Sequence, residues 1–213
     1  MALSSRTGLV ILPLVVVVAA FFAGVGVSRY NQSDQDPVEG LLWPDPPVLK
    51  DFALTDHTGD KLSPARLRGR WSLIFFGFTH CPDVCPTALE AMSAAQQSLR
   101  QDPQFGQTGQ TIFISVDPER DSTETLANYV GYFSPEMLGA TAPVDELKAL
   151  TSSLGVLFMK IPGEGTQYTV DHSAGVFFIS PDLQLLSVLT PPITKTGLLE
   201  RFETVSRFYS THL

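Results

Sequence analysis

The stretch Phe75-Phe76-Gly77-Phe78-Thr79-His80-Cys81-Pro82-Asp83-Val84-Cys85-Pro86 contains both cysteines of this 213-residue chain. The apolar run at 71–78 that leads into it predicts a buried strand, although periodicity alone does not exclude a buried helix. After it, Pro86 suits the first position of a helix, and apolar residues continue at helical spacing as far as Arg100. The sequence therefore places two thiols in a loop between a strand and a helix.

This thiol loop, residues 78–85, is a favourable place for reactive sulfur. Backbone N–H groups at the start of a helix stabilise an anion and so favour thiolate over thiol. The four-residue spacing brings the sulfurs of Cys81 and Cys85 to one side of a turn, close enough for a shared metal ion or a disulfide. A purely structural disulfide is disfavoured, because so short a closed loop removes little entropy from the unfolded chain. Metal binding and redox exchange both stay open.

The N-terminal part of the chain predicts export. Residues 8–27 carry no charge, and about 20 such residues are enough to cross a bilayer as a helix. The preferred interpretation is a single transmembrane anchor at 1–29, followed by a flexible, proline-rich tether at 30–47. A cleaved signal peptide is the alternative, because small residues at 23–26 offer a cleavage site. In both cases residues 48–213 form one exported domain.

The charge of the chain excludes one class of partner. It has 14 basic and 22 acidic residues and a formal net charge of −8. The Lys and Arg residues form no cluster or stripe, so the electrostatic signature of a nucleic-acid-binding protein is missing. We therefore expect no nucleic-acid partner.

The order of predicted elements indicates an α/β fold. An opening hairpin at 48–62 precedes the strand at 71–78 and the helix from Pro86. The following elements are a strand at 111–116, a helix from Ser122 or Thr123 to Phe133, a helix at 144–154 ended by Gly155, a strand at 156–161, a terminal hairpin at 175–190 and a helix from Thr194 or Thr196. This order predicts a central sheet covered by helices on both faces. With thiols at the start of the first long helix, it is similar to a thioredoxin fold.

Two cysteines alone do not satisfy most metals, so we looked for a third ligand among the four histidines. His212 is next to last in the chain, and His57 lies in a hairpin turn, where we expect no role. His80 adjoins Cys81, but neighbouring side chains diverge unless the loop folds back. His172 precedes a predicted strand in a polar segment. Taken alone, a histidine at a strand edge is more often structural than metal-ligating.

Three motifs together resemble the Sco/SenC family. They are the thiol loop with its flanks (76–86), the segment Ile114-Ser115-Val116-Asp117-Pro118-Glu119-Arg120-Asp121, and Val170-Asp171-His172-Ser173. The family's members are membrane-tethered, thioredoxin-like copper proteins that help to assemble cytochrome c oxidase. The likeness covers nearly all of residues 48–210. It implies that Cys81, Cys85 and His172 bind copper.

The resemblance also implies a function, a recipient and a location. We expect a copper metallochaperone that delivers one copper ion per chain to the dinuclear copper site of cytochrome c oxidase subunit II. Its donor would be another periplasmic copper chaperone. The expected location is the bacterial cytoplasmic membrane, with the soluble domain on the periplasmic side.

Elementary coordination chemistry agrees with copper. Two thiolates and one imidazole form a soft, three-coordinate site that suits Cu(I) and can be adapted to Cu(II). Structural zinc usually takes a fourth protein ligand. Three carboxylates are candidates to tune this site from outside the ligand set: Asp83 between the cysteines, Asp117 after the second strand, and Asp171 beside His172. Turn-forming and capping roles are the alternative for Asp117 and Asp171, and solvation of the loop is the alternative for Asp83.

Two other functions use the same thiols. An exported thiol–disulfide reductase would keep the cysteines of the oxidase subunit reduced, cycling between dithiol and disulfide. It has no necessary use for His172, and its usual spacing is Cys-x-x-Cys. A thioredoxin-like peroxidase also places a thiolate at a helix start, and predicts turnover with peroxide, which we do not expect.

Overall fold

A computed structural model describes residues 40–42, 45–106, 108–163 and 167–212. They belong to one compact unit, Gly40–Leu213. The predicted anchor at 1–29 and most of the tether at 30–47 lie outside these residues. None of the helices within the described ranges is both long and apolar enough to cross a membrane.

The chain forms nine strands and five helices within the described ranges. In chain order they are β1 (Leu54–Asp56), β2 (Lys61–Leu62), α1 (Pro64–Leu67), β3 (Ser72–Gly77), α2 (Val84–Leu99), β4 (Gln110–Ser115), α3 (Thr123–Phe133), β5 (Leu138–Thr141), α4 (Val144–Leu154), β6 (Phe158–Pro162), β7 (Tyr168–His172), β8 (Val176–Ile179), β9 (Leu185–Leu189) and α5 (Lys195–His212). The α/β order predicted from the sequence is confirmed.

Seven strands form one mixed sheet in the order β2-β1-β5-β4-β3-β8-β9. β4 lies between β3 and β5 and is parallel to both, whereas β8 is antiparallel to β3. β6 and β7 pair only with each other, as a separate antiparallel ribbon. The mixed sheet that we predicted is therefore present, with a two-stranded ribbon outside it.

The central strand β3 contains most of the apolar run at 71–78. Every residue of β3 is buried. Its side chains alternate between two cores: Leu73 and Phe75 face the core formed with α2, α3 and α5, while Ile74 and Phe76 face the core formed with α4. A strand covered on both faces reads as a continuous apolar run.

Some element boundaries differ from the predictions. The helix after the thiol loop begins at Val84, so Cys85 is its second residue and Pro86 its third. Proline is tolerated there because the first N–H groups of a helix have no carbonyl partner within the helix. β7 was interpreted as a polar lead-in rather than a strand. β5 was missed, because its sequence, Leu-Gly-Ala-Thr, has little strand propensity and forms only between its neighbours.

The last residues of the predicted tether contact the sheet. The N–H of Leu42 donates to the carbonyl of Leu186 at 2.8 Å, and Pro47 accepts from the N–H of Leu185 at 2.8 Å. β9 is an edge strand, and its outward backbone groups need partners. Leu42 and Pro47 supply two of them.

Candidate metal centre

A buried carboxylate anchors the start of the thiol loop. Asp121, which is fully buried, accepts hydrogen bonds from the backbone N–H of Thr79 at 2.9 Å and from its hydroxyl at 2.6 Å. It also accepts one from the hydroxyl of Ser115 at 2.5 Å. Because Ser115 ends β4, these bonds fasten the loop to the carboxyl edge of the sheet. Asp121 is not among the site residues predicted from the sequence.

The two thiols differ in exposure. Cys81 is half-buried in the loop, whereas Cys85 is buried at the start of α2, and both are free. Gly77 makes room for the second sulfur: a Cβ atom at that position would lie 2.7 Å from the Sγ of Cys85 and 2.9 Å from Cε2 of Phe113. Those separations are shorter than van der Waals contact. Glycine is therefore required there by the position of the thiol.

The third side chain arrives from the ribbon. His172 is the last residue of β7, and its Nε2 lies 3.5 Å from the Sγ of Cys85. Its Nδ1 lies 3.3 Å from the carbonyl oxygen of Ser173. When a metal ion is bound, a proton on Nδ1 would be donated to that carbonyl, which leaves the Nε2 lone pair free for the ion. The rings of Phe75 and Phe78 pack edge-on against the imidazole, with centroids 6.1 and 5.9 Å away.

The three predicted ligands therefore meet in space. One ligand atom from each of Cys81, Cys85 and His172 lies within 4.8 Å of the other two. In the described part of the chain, no histidine, cysteine or carboxylate joins this group as a fourth ligand. Movements of an ångström or so would bring all three atoms to the bonding distance of a single ion.

The geometry separates the two thiols electrostatically. The pKa of Cys81 is lowered to about 4, mainly because Cys85 donates its S–H to the Cys81 sulfur; contacts with His172 and backbone N–H groups add to the effect. The pKa of Cys85 is raised, because ionising it would break that hydrogen bond and because the side chain is buried. At neutral pH the pair therefore shares one proton, with the negative charge on Cys81.

The three candidate carboxylates lie in different surroundings. Asp83 is exposed and precedes α2, and its backbone N–H, not its side chain, stabilises the Cys81 thiolate. Asp171 is exposed on the ribbon, and its side chain makes no hydrogen bond to His172. Asp117 is buried and binds Arg120 and the hydroxyl of Tyr168. The structure thus brings none of the three carboxylates into contact with the sulfurs or the imidazole.

The other histidines point elsewhere. His80 turns towards the loop anchor, with its Nδ1 3.0 Å from the hydroxyl of Thr79 and 3.9 Å from Asp121. His57, for which we expected no role, accepts a hydrogen bond from the N–H of Gly139 at 3.0 Å. That expectation was wrong in one respect, since His57 ties the β1–β2 turn to β5.

A cavity opens beside the imidazole. Its volume is about 360 Å³, and it is lined by Leu157, Phe158, Met159, Asp171, His172 and Ser173. The metal-binding group therefore lies next to an opening, where an incoming side chain could approach.

The residues that sequence reasoning missed share one property. Gly77 and Asp121 support the thiol loop, and Arg120 binds Asp117 and Tyr168, without being ligands themselves. Asp121 and Arg120 belong to a quoted motif that directly follows β4. Loops that follow adjacent parallel strands meet at one edge of the sheet, and this rule could have pointed to them.

The mixed sheet, the helices on both its faces and the thiols at the start of α2 define a thioredoxin-like domain with a soft two-sulfur, one-nitrogen site. Within that class, the chain belongs to the SCO1/SenC family, whose sequence model matches residues 44–206.

Relatives agree with this assignment. The chain is 41% identical over 133 residues to the mitochondrial SCO2 homolog of Bos taurus, covering 62% of this chain and 50% of that protein. The match thus spans about half the length of the bovine relative. A protein of Stutzerimonas stutzeri whose name describes copper binding is 30% identical over 185 residues, covering 87% of this chain and 89% of that one.

A solved structure shares the fold. The crystal structure of Arabidopsis thaliana ScoI with copper bound superposes with a TM-score of 0.70 at 31% identity, covering 76% of this chain and 99% of that chain. The predicted thioredoxin-like fold is confirmed.

Proposed function

We propose that this protein is a copper metallochaperone. The observation that carries the proposal is the meeting of Cys81, Cys85 and His172, whose ligand atoms lie within 4.8 Å of one another. Two sulfurs and one imidazole suit Cu(I), and such a set adapts to Cu(II). Relatives described by their copper binding support the choice of metal.

Copper is the cargo of this protein, and the site has features that permit its transfer. Three ligands leave room for an incoming thiol or imidazole, so copper can pass on by ligand exchange without becoming free. The cavity beside His172 gives that ligand a route. The proposed recipient is the dinuclear copper site of cytochrome c oxidase subunit II, and the proposed donor is another periplasmic copper chaperone.

The proposed location follows from the N-terminal sequence. The uncharged stretch at 8–27 would anchor the chain in a bacterial cytoplasmic membrane, with the copper domain on the periplasmic side. This position would place the site on the same side of the membrane as the proposed recipient.

The test is an anaerobic Cu(I) titration of the reduced full chain in detergent against a competing chelator. We expect one copper per chain, bound about 10- to 100-fold more weakly by the His172→Ala variant. His80→Ala is the matched control, because His80 adjoins Cys81 but faces Asp121, and its affinity should equal that of the wild type. An unchanged Cu(I) affinity in His172→Ala would contradict the proposal.

Delivery needs its own measurement. Two equivalents of Cu(I)-loaded protein are mixed anaerobically with the reduced copper domain of subunit II, the two proteins are separated, and the copper bound to each is measured. We expect copper to move to that domain. If copper stays with the chaperone, the recipient is another protein.

A second function is favoured by the contrast between the thiols. A partly exposed Cys81 with a lowered pKa, next to a buried Cys85, is the arrangement of a thiol–disulfide reductase. The Cys81 thiolate would attack a partner disulfide and form a mixed disulfide, and one partner sulfur would leave as a thiolate. The Cys85 sulfur, after losing its proton, would then release the second partner thiol and leave a Cys81–Cys85 disulfide.

The two functions separate by mutation. Reduction of a disulfide-bonded partner peptide should be abolished in Cys81→Ser and largely retained in His172→Ala, because Cys85 and not the imidazole is the main cause of the lowered Cys81 pKa. Loss of reduction in both variants, together with loss of copper binding, favours the metallochaperone alone.

A further inference from the structure

One short segment touches both halves of the candidate metal centre. The segment runs from Asp117 to Asp121, between β4 and α3, and we call it the bridge. Asp121, at its end, anchors the thiol loop through Thr79. The other charged side chains of the bridge face the β6–β7 ribbon that carries His172. The distance between sulfur and imidazole therefore depends on this segment.

Arg120 makes the most contacts between the bridge and the ribbon. Its Nη1 donates to the carbonyl oxygen of Tyr168 at 3.1 Å, and its Cζ lies 3.8 Å from the centroid of the Tyr168 ring. Its Nε forms an ion pair with the Asp117 carboxylate, which also accepts the Tyr168 hydroxyl at 2.8 Å. The backbone, the ring and the hydroxyl of one ribbon residue are all held.

The same guanidinium reaches the thiol side. Its Cζ lies 5.6 Å from the centroid of the Phe78 ring, within the range of a cation–π contact. Phe78 is the first residue of the thiol loop, and its ring packs against the imidazole of His172. Arg120 therefore contacts a residue on each side of the centre.

The ribbon depends on such contacts because it is not part of the main sheet. A two-stranded ribbon alone is marginally stable in water. Its apolar attachment to the body includes the buried Val170 and the partly buried Phe158 and Tyr168. Its polar attachment includes the Arg120 contacts and an ion pair between Lys160 and Glu119 of the bridge.

We propose that Arg120 is a positioning residue that holds the imidazole of His172 over the two thiols. The inference rests on the proposed copper function and adds a residue that is not a ligand. Arginine is required because its planar fork donates in two directions while its face stacks on a ring. A lysine at this position keeps the charge but loses the fork, and does not restore the geometry.

The test is a double-mutant cycle for Cu(I) affinity on the full chain, with Arg120→Gln and His172→Ala alone and combined. We expect Arg120→Gln to weaken binding about tenfold in the wild-type background, as for partners that orient a ligand, and less than about twofold in the His172→Ala background. Arg120→Lys should resemble Arg120→Gln. Arg207→Gln is the control, because Arg207 forms an exposed pair within α5 and should change nothing.

The outcomes separate this inference from a general loss of stability. An equal loss of affinity in both backgrounds overturns it, since Arg120 would then act on the whole fold. So does full rescue by Arg120→Lys, which would show that charge alone matters. If His172→Ala binds Cu(I) as tightly as the wild type does, the copper proposal itself is overturned.

A second variant answers the same question if Arg120→Gln does not fold. Tyr168→Phe removes only the hydroxyl that binds Asp117 and leaves the guanidinium in place. Its smaller loss of affinity, about threefold, should also disappear in the His172→Ala background. Persistence of that loss there overturns the inference.

Discussion

The thiol loop and the β6–β7 ribbon supply the same metal centre but are held in very different ways. The loop joins β3, which has partners on both sides in the seven-stranded sheet, to α2, and a fully buried Asp121 anchors it. The ribbon is a separate pair of strands, and four of the five residues of β6 are exposed. One half of the centre is thus built into the core, and the other half is attached to its surface.

This difference indicates which ligand is easier to displace. The sulfurs cannot shift without disturbing β3, α2 or the bonds to Asp121. The imidazole can move with the ribbon at the cost of a few polar contacts and a small apolar area. The proposed metallochaperone function requires release of copper, and a rigid thiol pair with a movable third ligand would permit that release.

Amide hydrogen exchange should show the largest contrast. In the reduced, metal-free chain, we expect the amides of β3 to exchange at least about a thousandfold more slowly than those of β6, because β6 can open without unfolding the sheet. Mass spectrometry of peptides from each strand measures this. The control is β8, which follows the ribbon in sequence but belongs to the sheet, and should resemble β3. Equal protection of β3 and β6 would contradict the comparison.

Loss of a ligand should cost more in the loop than in the ribbon. We expect Cys85→Ala to weaken Cu(I) binding by more than about 100-fold, beyond the loss in His172→Ala, because a thiolate is the softer ligand. Anaerobic competition with a chelator measures both variants. A larger loss of Cu(I) affinity in His172→Ala than in Cys85→Ala would show that the ribbon contributes more to binding than the thiol loop.

The pH dependence of alkylation tests the electrostatics of the loop. The pKa of Cys81 lies below its ordinary value of 9.0, at about 4. Its thiolate is therefore present at neutral pH and is protonated only as the pH falls through about 4. The stability that this ionisation contributes to the reduced fold is complete above about pH 9, decreases as the pH falls from there, and is lost at about pH 4. We expect the alkylation rate at Cys81 to be nearly constant between about pH 8 and about pH 6. The alkylation rate of an ordinary thiol changes about tenfold per pH unit in this range.

The rates at the two cysteines are separated by mass spectrometry after timed quenching. In Cys85→Ala the alkylation rate at Cys81 should begin to fall at a higher pH, because the S–H of Cys85 is the main cause of the lowered pKa of Cys81. A tenfold change per unit near neutral pH in the wild type would show that Cys81 is an ordinary thiol.

The smallest effect concerns the space behind Cys85. Gly77→Ala places a Cβ atom 2.7 Å from the Cys85 sulfur, so we expect a loss of about 1–3 kcal/mol in stability and up to about tenfold in copper affinity. Gly131→Ala is the matched control, since a Cβ atom there meets nothing within 4 Å inside α3, and should stabilise slightly. Thermal unfolding and the chelator assay measure both. If Gly77→Ala has the stability and copper affinity of the wild type, the thiol loop is as easily displaced as the ribbon.

Local sequence predicted the elements whose signals lie within a few residues. The apolar run of β3, the cap of α3 at Ser122 and the end of α4 at Gly155 were all found, because burial, capping and a left-handed glycine leave local patterns. β5 left no such pattern. Its place between β1 and β4 depends on pairing with strands far away in the chain.

The sequence by itself determined the two thiols, their place at a helix start, and, through three motifs, the family and the candidate third ligand, His172. Four-residue spacing is a local property, so Cys81 and Cys85 could be paired without a fold. Only the tertiary structure decided how His172, 87 positions from Cys85, reaches the sulfurs, and which residues hold it there. The positions of Asp121 and Arg120 depend on loops converging at one edge of the sheet, and such convergence leaves no periodic trace in the chain.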